Sequence, residues 1–307
     1  MERSIYIISK PYQYFNVCNI EDHSNKTLII VNAFSGSEDL YLNIKNKSHY
    51  WDEVFFCNNY SEAFNLIYRI SKNNLFRKLF IDGDYSLSMI KELQKLKNID
   101  IFVFEEGLGS YTDNIRKVIL KNKFKNGNFK HKLKWILTTI YLKLKGHDDH
   151  HGGFKGTKGI YVYNHELHKL NKPNFKKEIL SFKNSFLDHL RKFEDRKFIS
   201  SDYSYLMEVV KDKKVLIYLT SWQVDSKIES IIEEYPYHVR ILKPHPHIVD
   251  DKLRIIQDKF DFNISGGNMV EFLISDLIDV SKELIVVHNN SSALMHLKNS
   301  LITEIIL

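Results

Sequence analysis

Short apolar runs recur along the chain with room for one helix between each neighbouring pair. Ile5-Tyr6-Ile7-Ile8, Leu28-Ile29-Ile30-Val31, Val54-Phe55-Phe56, Lys78-Leu79-Phe80-Ile81 and Ile101-Phe102-Val103-Phe104 each have strand length. Helical patterns over 60–71 and 86–96 lie between them. Strands separated by helices of this length join through right-handed crossovers into a parallel sheet. The second half returns to the same rhythm, with strands expected at 215–219, 239–242 and 284–287 and helices at 226–234, 251–259 and 270–276. The expected fold class is therefore α/β with two Rossmann-like domains. The expected boundary lies near 155, giving domains 1–155 and 156–307.

Three of these runs end in residues suited to chemistry. Phe104-Glu105-Glu106-Gly107 follows the run at 99–103, Lys243-Pro244-His245-Pro246 the run at 238–242, and Asn290-Ser291-Ser292 the run at 284–287. Open α/β sheets bind ligands outside the carboxyl ends of their strands. Paired carboxylates at such a place supply a base, because one of them has its pKa raised by the other. Alternation along a strand turns only one of Glu105 and Glu106 toward substrate. The plain alternative is a solvated turn or a helix cap. His245, stiffened by flanking prolines, suits a phosphate as hydrogen-bond or proton donor, with Lys243 adding charge; otherwise it is a surface-loop histidine. Ser291 and Ser292 read as the start of a helix after a strand, where amides and hydroxyls hold phosphate, or as an ordinary N-cap.

In order and wording these motifs resemble the bacterial sialyltransferases of the lipooligosaccharide and capsular polysialic-acid type. The resembling residues are Glu105-Glu106-Gly107, continuing as Leu108-Gly109-Ser110-Tyr111, then His245-Pro246, Ser291-Ser292 and the strand Val215 to Thr220. The resemblance implies a GT-B fold, two domains facing a central cleft, with 1–155 on the acceptor side and 156–307 binding the CMP-sugar. It implies inverting transfer from CMP-sialic acid to a cell-surface glycan, without metal or other cofactor. Glu106 would be the base, with Glu105 beside it. His245 would meet the leaving phosphate, and Ser291, Ser292, Lys243, Thr220, Ser221 and Pro246 would hold the nucleotide. Gly107, Ser9, Asn32 and Ser35, also at strand ends, would contact donor sugar or acceptor. The alternatives are an envelope transferase with another nucleotide-activated donor, including a polyol-phosphate transferase, and a glycan-binding relative without activity. The chain ends at 302–307, early for a GT-B protein, so a further C-terminal helix is an expectation.

Composition narrows the class. With 43% hydrophobic and 27% charged residues the 307-residue chain is globular. Cys18 and Cys57 form neither a metal spacing nor a disulfide frame, which suits a reducing cytoplasm. Met1-Glu2-Arg3-Ser4 leads into a strand rather than a signal peptide, and no run approaches the roughly 20 apolar residues of a membrane span. The absence of a P-loop or a strand-borne GxGxxG argues against ATP or NAD chemistry. From Arg116 to Lys145 ten Lys or Arg residues occur without an acidic one, interleaved with Phe124, Phe129 and Trp135. Such a segment suits an anionic membrane surface or polyanion, or is simply a solvated helix face; nucleic acid fits less well, since no nucleic-acid motif accompanies it. The His147–His151 loop, with Asp148 and Asp149, is a weak metal candidate, and no metal is expected. A charged helix is expected over 177–193.

Overall fold

The computed structural model describes residues 2–34, 36–72, 76–113, 129–148, 150–221, 223–245, 248, 250–264, 269–297 and 299–307. Ser35, Pro246, Asp149 and positions 116–128 of the basic stretch lie outside the described residues. The chain forms two compact units, Met1–His189 and Leu190–Leu307.

The first unit carries strands β1 (Arg3–Ile8), β2 (Asn25–Val31), β3 (Glu53–Cys57), β4 (Phe76–Ile81), β5 (Asp100–Phe104), β6 (Thr157–Val162) and β7 (Glu178–Ser181). Its helices are α1 (Pro11–Val17), α2 (Ser37–Lys47), α3 (Tyr60–Ser71), α4 (Leu87–Leu93), α5 (Phe129–Leu144), α6 (His165–Asn171) and α7 (Phe186–Lys192), the last running a few residues into the second unit. The sheet is parallel throughout, in the order β3-β2-β1-β4-β5-β6-β7. Strand order therefore reverses between β1 and β4, which opens a crevice at their carboxyl ends.

Register explains part of the core. Tyr6 pairs with Phe80 and Phe80 with Phe102, so three aromatic rings form a ladder across β1, β4 and β5. Tyr6 and Phe80 stack with centroids 4.4 Å apart, and Phe80 and Phe102 lie 5.4 Å apart. Each such contact adds about 0.5–1.5 kcal/mol beyond burial.

The boundary near 155 falls inside this unit, because β6 and β7 extend the first sheet rather than opening the second. The helix expected over 177–193 is instead the edge strand β7 followed by α7. Ile179 and Leu180 pair in register with Ile160 and Tyr161 of β6, and this pairing overrides the helical pattern.

The second unit adds α8 (Arg196–Ile199), α9 (Ser204–Val210), β8 (Lys214–Leu219), α10 (Ile228–Glu234), β9 (Val239–Lys243), α11 (Asp250–Gln257), β10 (Phe262–Asn263), α12 (Val270–Val280), β11 (Glu283–His288) and β12 (Ile302–Ile306). Its parallel sheet runs β10-β9-β8-β11-β12, reversing between β8 and β11. Leu216, Tyr218, Leu242, Ile285 and Val287 pack on Ile228, Ile232 and Phe260 to form its core. No helix among the described residues is long and apolar enough to cross a membrane.

Candidate functional site

In the first unit two of the expected residues, Ser9 and Glu106, meet at the crevice between β1, β4 and β5, and one carboxylate that sequence reasoning missed joins them. Asp82, directly after β4, is buried. Its Oδ2 accepts hydrogen bonds from Gln13 Nε2 at 2.8 Å and from the Tyr60 hydroxyl at 2.9 Å. The same Gln13 amide donates to Glu106 Oε1 at 3.2 Å, so one side chain bridges two carboxylates. Ser9, buried at the end of β1, donates its backbone N–H to Gln13 Oε1. Lys10 forms an ion pair with Glu106.

Burial, and then the negative charge of Glu106, push the Asp82 pKa up to about 7. Two carboxylates sharing a buried donor cannot both ionise cheaply, and the more deeply buried one yields. Burial and the Asp82 charge also hold the Tyr60 phenol protonated, as a donor.

Glu105 and Glu106 part company as strand alternation requires. Glu105 is fully buried and accepts from Tyr111, from the Tyr163 backbone N–H at 3.0 Å and from the Tyr12 hydroxyl at 3.2 Å. It turns back among the strands and helices, away from the cavity. Glu106 keeps about a fifth of its side chain exposed and lines a cavity of about 740 Å³ together with Asp82, Tyr60, Tyr85, Lys134 and Trp135. The carboxylate pair at the crevice is thus Asp82 and Glu106, not Glu105 and Glu106.

A relay fixes the backbone under this pair. Glu106 N–H donates to Ser110 Oγ at 2.7 Å, Ser110 Oγ–H to His151 Nδ1 at 2.8 Å, and His151 Nε2–H to the Asp82 carbonyl at 2.6 Å. The carbonyl demands a donor, which assigns the neutral Nε2–H tautomer. Burial lowers the His151 pKa, in keeping with a neutral ring. Gly107, at φ +75°, allows the turn from β5 into the short 3-10 helix Gly107–Tyr111.

A buried carboxylate, Asp84, anchors the segment that follows the His147–His151 loop. Asp84 accepts from Gly152 N at 2.9 Å, Phe154 N at 2.8 Å and Thr157 Oγ1 at 2.7 Å. Among the described residues no group of three or more His, Cys, Asp or Glu is placed to hold a metal. Asn32 lies exposed at the end of β2, where its Oδ1 accepts from Ser37 Oγ at 2.7 Å; it is not among the residues lining the cavity.

The second unit gathers its expected residues after β8, β9 and β11. Thr220, next after β8, accepts the His245 N–H on its Oγ1 at 2.7 Å and donates its own N–H to the Lys243 carbonyl at 3.1 Å. The loop carrying His245 is thereby tied to the neighbouring strand end. Burial lowers the Lys243 pKa to about 8, opposed by the charge of Glu271, a residue sequence reasoning passed over. Ser221 closes a local turn with Gln223. The helix expected after Asn290-Ser291-Ser292 is a three-residue 3-10 turn, Ser292–Leu294. Ser291 donates its N–H to His288 Nδ1 at 3.0 Å, and its Oγ accepts from Ala293 N at 3.3 Å. These two amides serve the turn itself, which leaves the exposed Ser292 hydroxyl as the outward group.

No protein-family model matches the chain, and no curated protein does. Among solved structures, the 2,6-sialyltransferase of Vibrionaceae Photobacterium sp. JT-ISH-224, crystallised as a ternary complex with the donor product CMP and the acceptor substrate lactose, is similar with a TM-score of 0.52. The identity is 11%, over 99% of this chain and 71% of that one. The likeness is one of fold.

Proposed function

We propose that the chain, which shares its fold with a sialyltransferase, is an inverting sialyltransferase of GT-B type that transfers sialic acid from CMP-sialic acid to a cell-surface glycan. The observation that carries the reading is Glu106: a half-buried carboxylate at the end of β5, opening into a 740 Å³ cavity beside a second, deeply buried carboxylate. In this reading Glu106 takes the proton of the acceptor hydroxyl as that oxygen attacks the anomeric carbon, and CMP leaves from the opposite face. Lys10 and Gln13 orient Glu106, and Glu105 anchors the strand end behind it. The second unit supplies the phosphate side. His245 meets the departing phosphate, with Lys243, Thr220 and Ser292 as further donors and charge, a task that hydrogen bonds perform without a metal. CMP and lactose in the similar structure support a nucleotide donor and a glycan acceptor. Its setting is the cytoplasm, at the inner face of the cell membrane.

The test is incubation with CMP-sialic acid and a panel of labelled oligosaccharides, read by mass spectrometry, with and without EDTA. Transfer that survives EDTA and drops by about two to four orders of magnitude in Glu106→Gln, with CMP affinity retained, supports the assignment. If Asp82→Asn abolishes transfer and Glu106→Gln does not, the base is Asp82. Absence of CMP release with every acceptor, alongside tight glycan binding, identifies a binding protein instead.

A further inference from the structure

Helix α5 has two faces with different business. Trp135, Thr138 and Leu142 wall the cavity that Glu106 lines. At about 100° per residue, the opposite side presents Phe129, Leu133, Leu137, Ile140 and Leu144, spaced three or four residues apart as one ridge. All five are exposed, Phe129 at 77%, Leu137 at 57% and Leu144 at 82%. An apolar ridge on a helix is ordinarily the face that packs; here the packed face is the other one.

Lysines border the ridge on both sides, Lys130, Lys134 and Lys145 along one and Lys132 and Lys143 along the other. No acidic residue occurs between 129 and 145. We propose that α5 lies in the surface of an anionic lipid bilayer, its ridge among the acyl chains and its lysines at the headgroups. Charge selects this occupant. A second copy of the chain would bring two lysine-bordered ridges together, like charge against like. A nucleic acid would leave the ridge in water against a phosphate backbone. A bilayer with negative headgroups meets both the apolar stripe and its two cationic borders.

The experiment is co-sedimentation of the full chain with vesicles of phosphatidylcholine alone or with about one third phosphatidylglycerol. Binding should require the anionic lipid and weaken as salt rises, since the Debye length shrinks to about 8 Å at physiological ionic strength. Replacing Leu133, Leu137 and Ile140 by serine should weaken vesicle partition by about a hundredfold or more. Lys130→Glu with Lys145→Glu should weaken it by at least tenfold. All five positions are exposed, and none lines the cavity. Both variants should keep wild-type thermal stability and wild-type CMP binding, which separates this proposal from the proposed activity. Equal binding to neutral and anionic vesicles, or full binding by the serine variant, overturns it. So does a wild-type dimer in size-exclusion chromatography that the serine variant converts to monomer.

Discussion

Asp82→Asn should make the first unit less sensitive to pH, by an amount the structure bounds. In the folded protein burial and the Glu106 charge lift the Asp82 pKa from 3.8 to about 7. The folded state therefore holds a proton that the unfolded chain has released, and stability falls as pH rises between these values. The contribution is fully present below about pH 4 and gone above about pH 7. Three units at about 1.36 kcal/mol each set a ceiling near 4 kcal/mol. Titration shared with Glu106 spreads the loss over two steps, so about 2–4 kcal/mol is expected. Other groups bend the raw profile in the opposite sense. Burial lowers His168 to about 3 and His189 to about 4, so the unfolded chain takes up protons there as pH falls. Asp22, where hydrogen bonds from Ser24, Ser4, Lys78 and Tyr6 outweigh burial and bring the pKa to about 2, acts only below about pH 4. The difference between wild type and Asp82→Asn isolates the one group. Urea unfolding followed by tryptophan fluorescence, in a Trp222→Phe background so that Trp51 and Trp135 report, gives both curves from pH 4 to 8. Asn should gain on Asp steadily up to about pH 7 and hold its lead beyond. A difference that stays level across that range refutes the buried carboxylate pair.

Asp84→Ala removes the acceptor of three hydrogen bonds and strands the Gly152 and Phe154 amides, so thermal denaturation should register a loss of about 3–5 kcal/mol. Glu105→Gln should cost about 1–3 kcal/mol of stability through its contacts with Tyr111 and Tyr163, while transfer per folded molecule falls far less than in Glu106→Gln; a larger catalytic loss than at Glu106 would reverse their roles. Thr220→Val unties His245 from the neighbouring strand end, and calorimetry should show CMP binding weakened by about 1 kcal/mol with stability of the first unit unchanged.

Much of this arrangement could be read from apolar runs alone, because a buried parallel strand is apolar on both faces. The runs at 5–8, 28–31, 54–56, 78–81 and 101–104 all fall inside observed strands. Glu106 emerged because it ends such a run. Asp82 ends one too, in Ile81-Asp82-Gly83, and the same rule applied at that strand would have found it. What the runs do not contain is strand order. Gln13 meets both carboxylates because the sheet reverses between β1 and β4, so the ends of β1, β4 and β5 lie side by side. Short edge strands were the other blind spot. β7 has four residues inside a segment of helical pattern, and β12 is paired, among the described residues, with β11 alone. Partner strands, not local propensity, decide such segments.

The two units place opposite chemistry at equivalent points. In each, the polar residues stand where strand order reverses, after β1 and β4 in one sheet and after β8 and β11 in the other. In the first unit Asp82 follows β4 and Glu106 follows the adjoining β5, the two restrained by Gln13, Lys10 and Tyr60. In the second those positions carry hydroxyls, with a lysine and a histidine on the adjoining β9 strand end. A carboxylate suits the withdrawal of a proton from a hydroxyl, and a hydroxyl, ammonium and imidazole suit a phosphate that gains charge as it leaves. Group transfer from a nucleotide-activated sugar requires both at once.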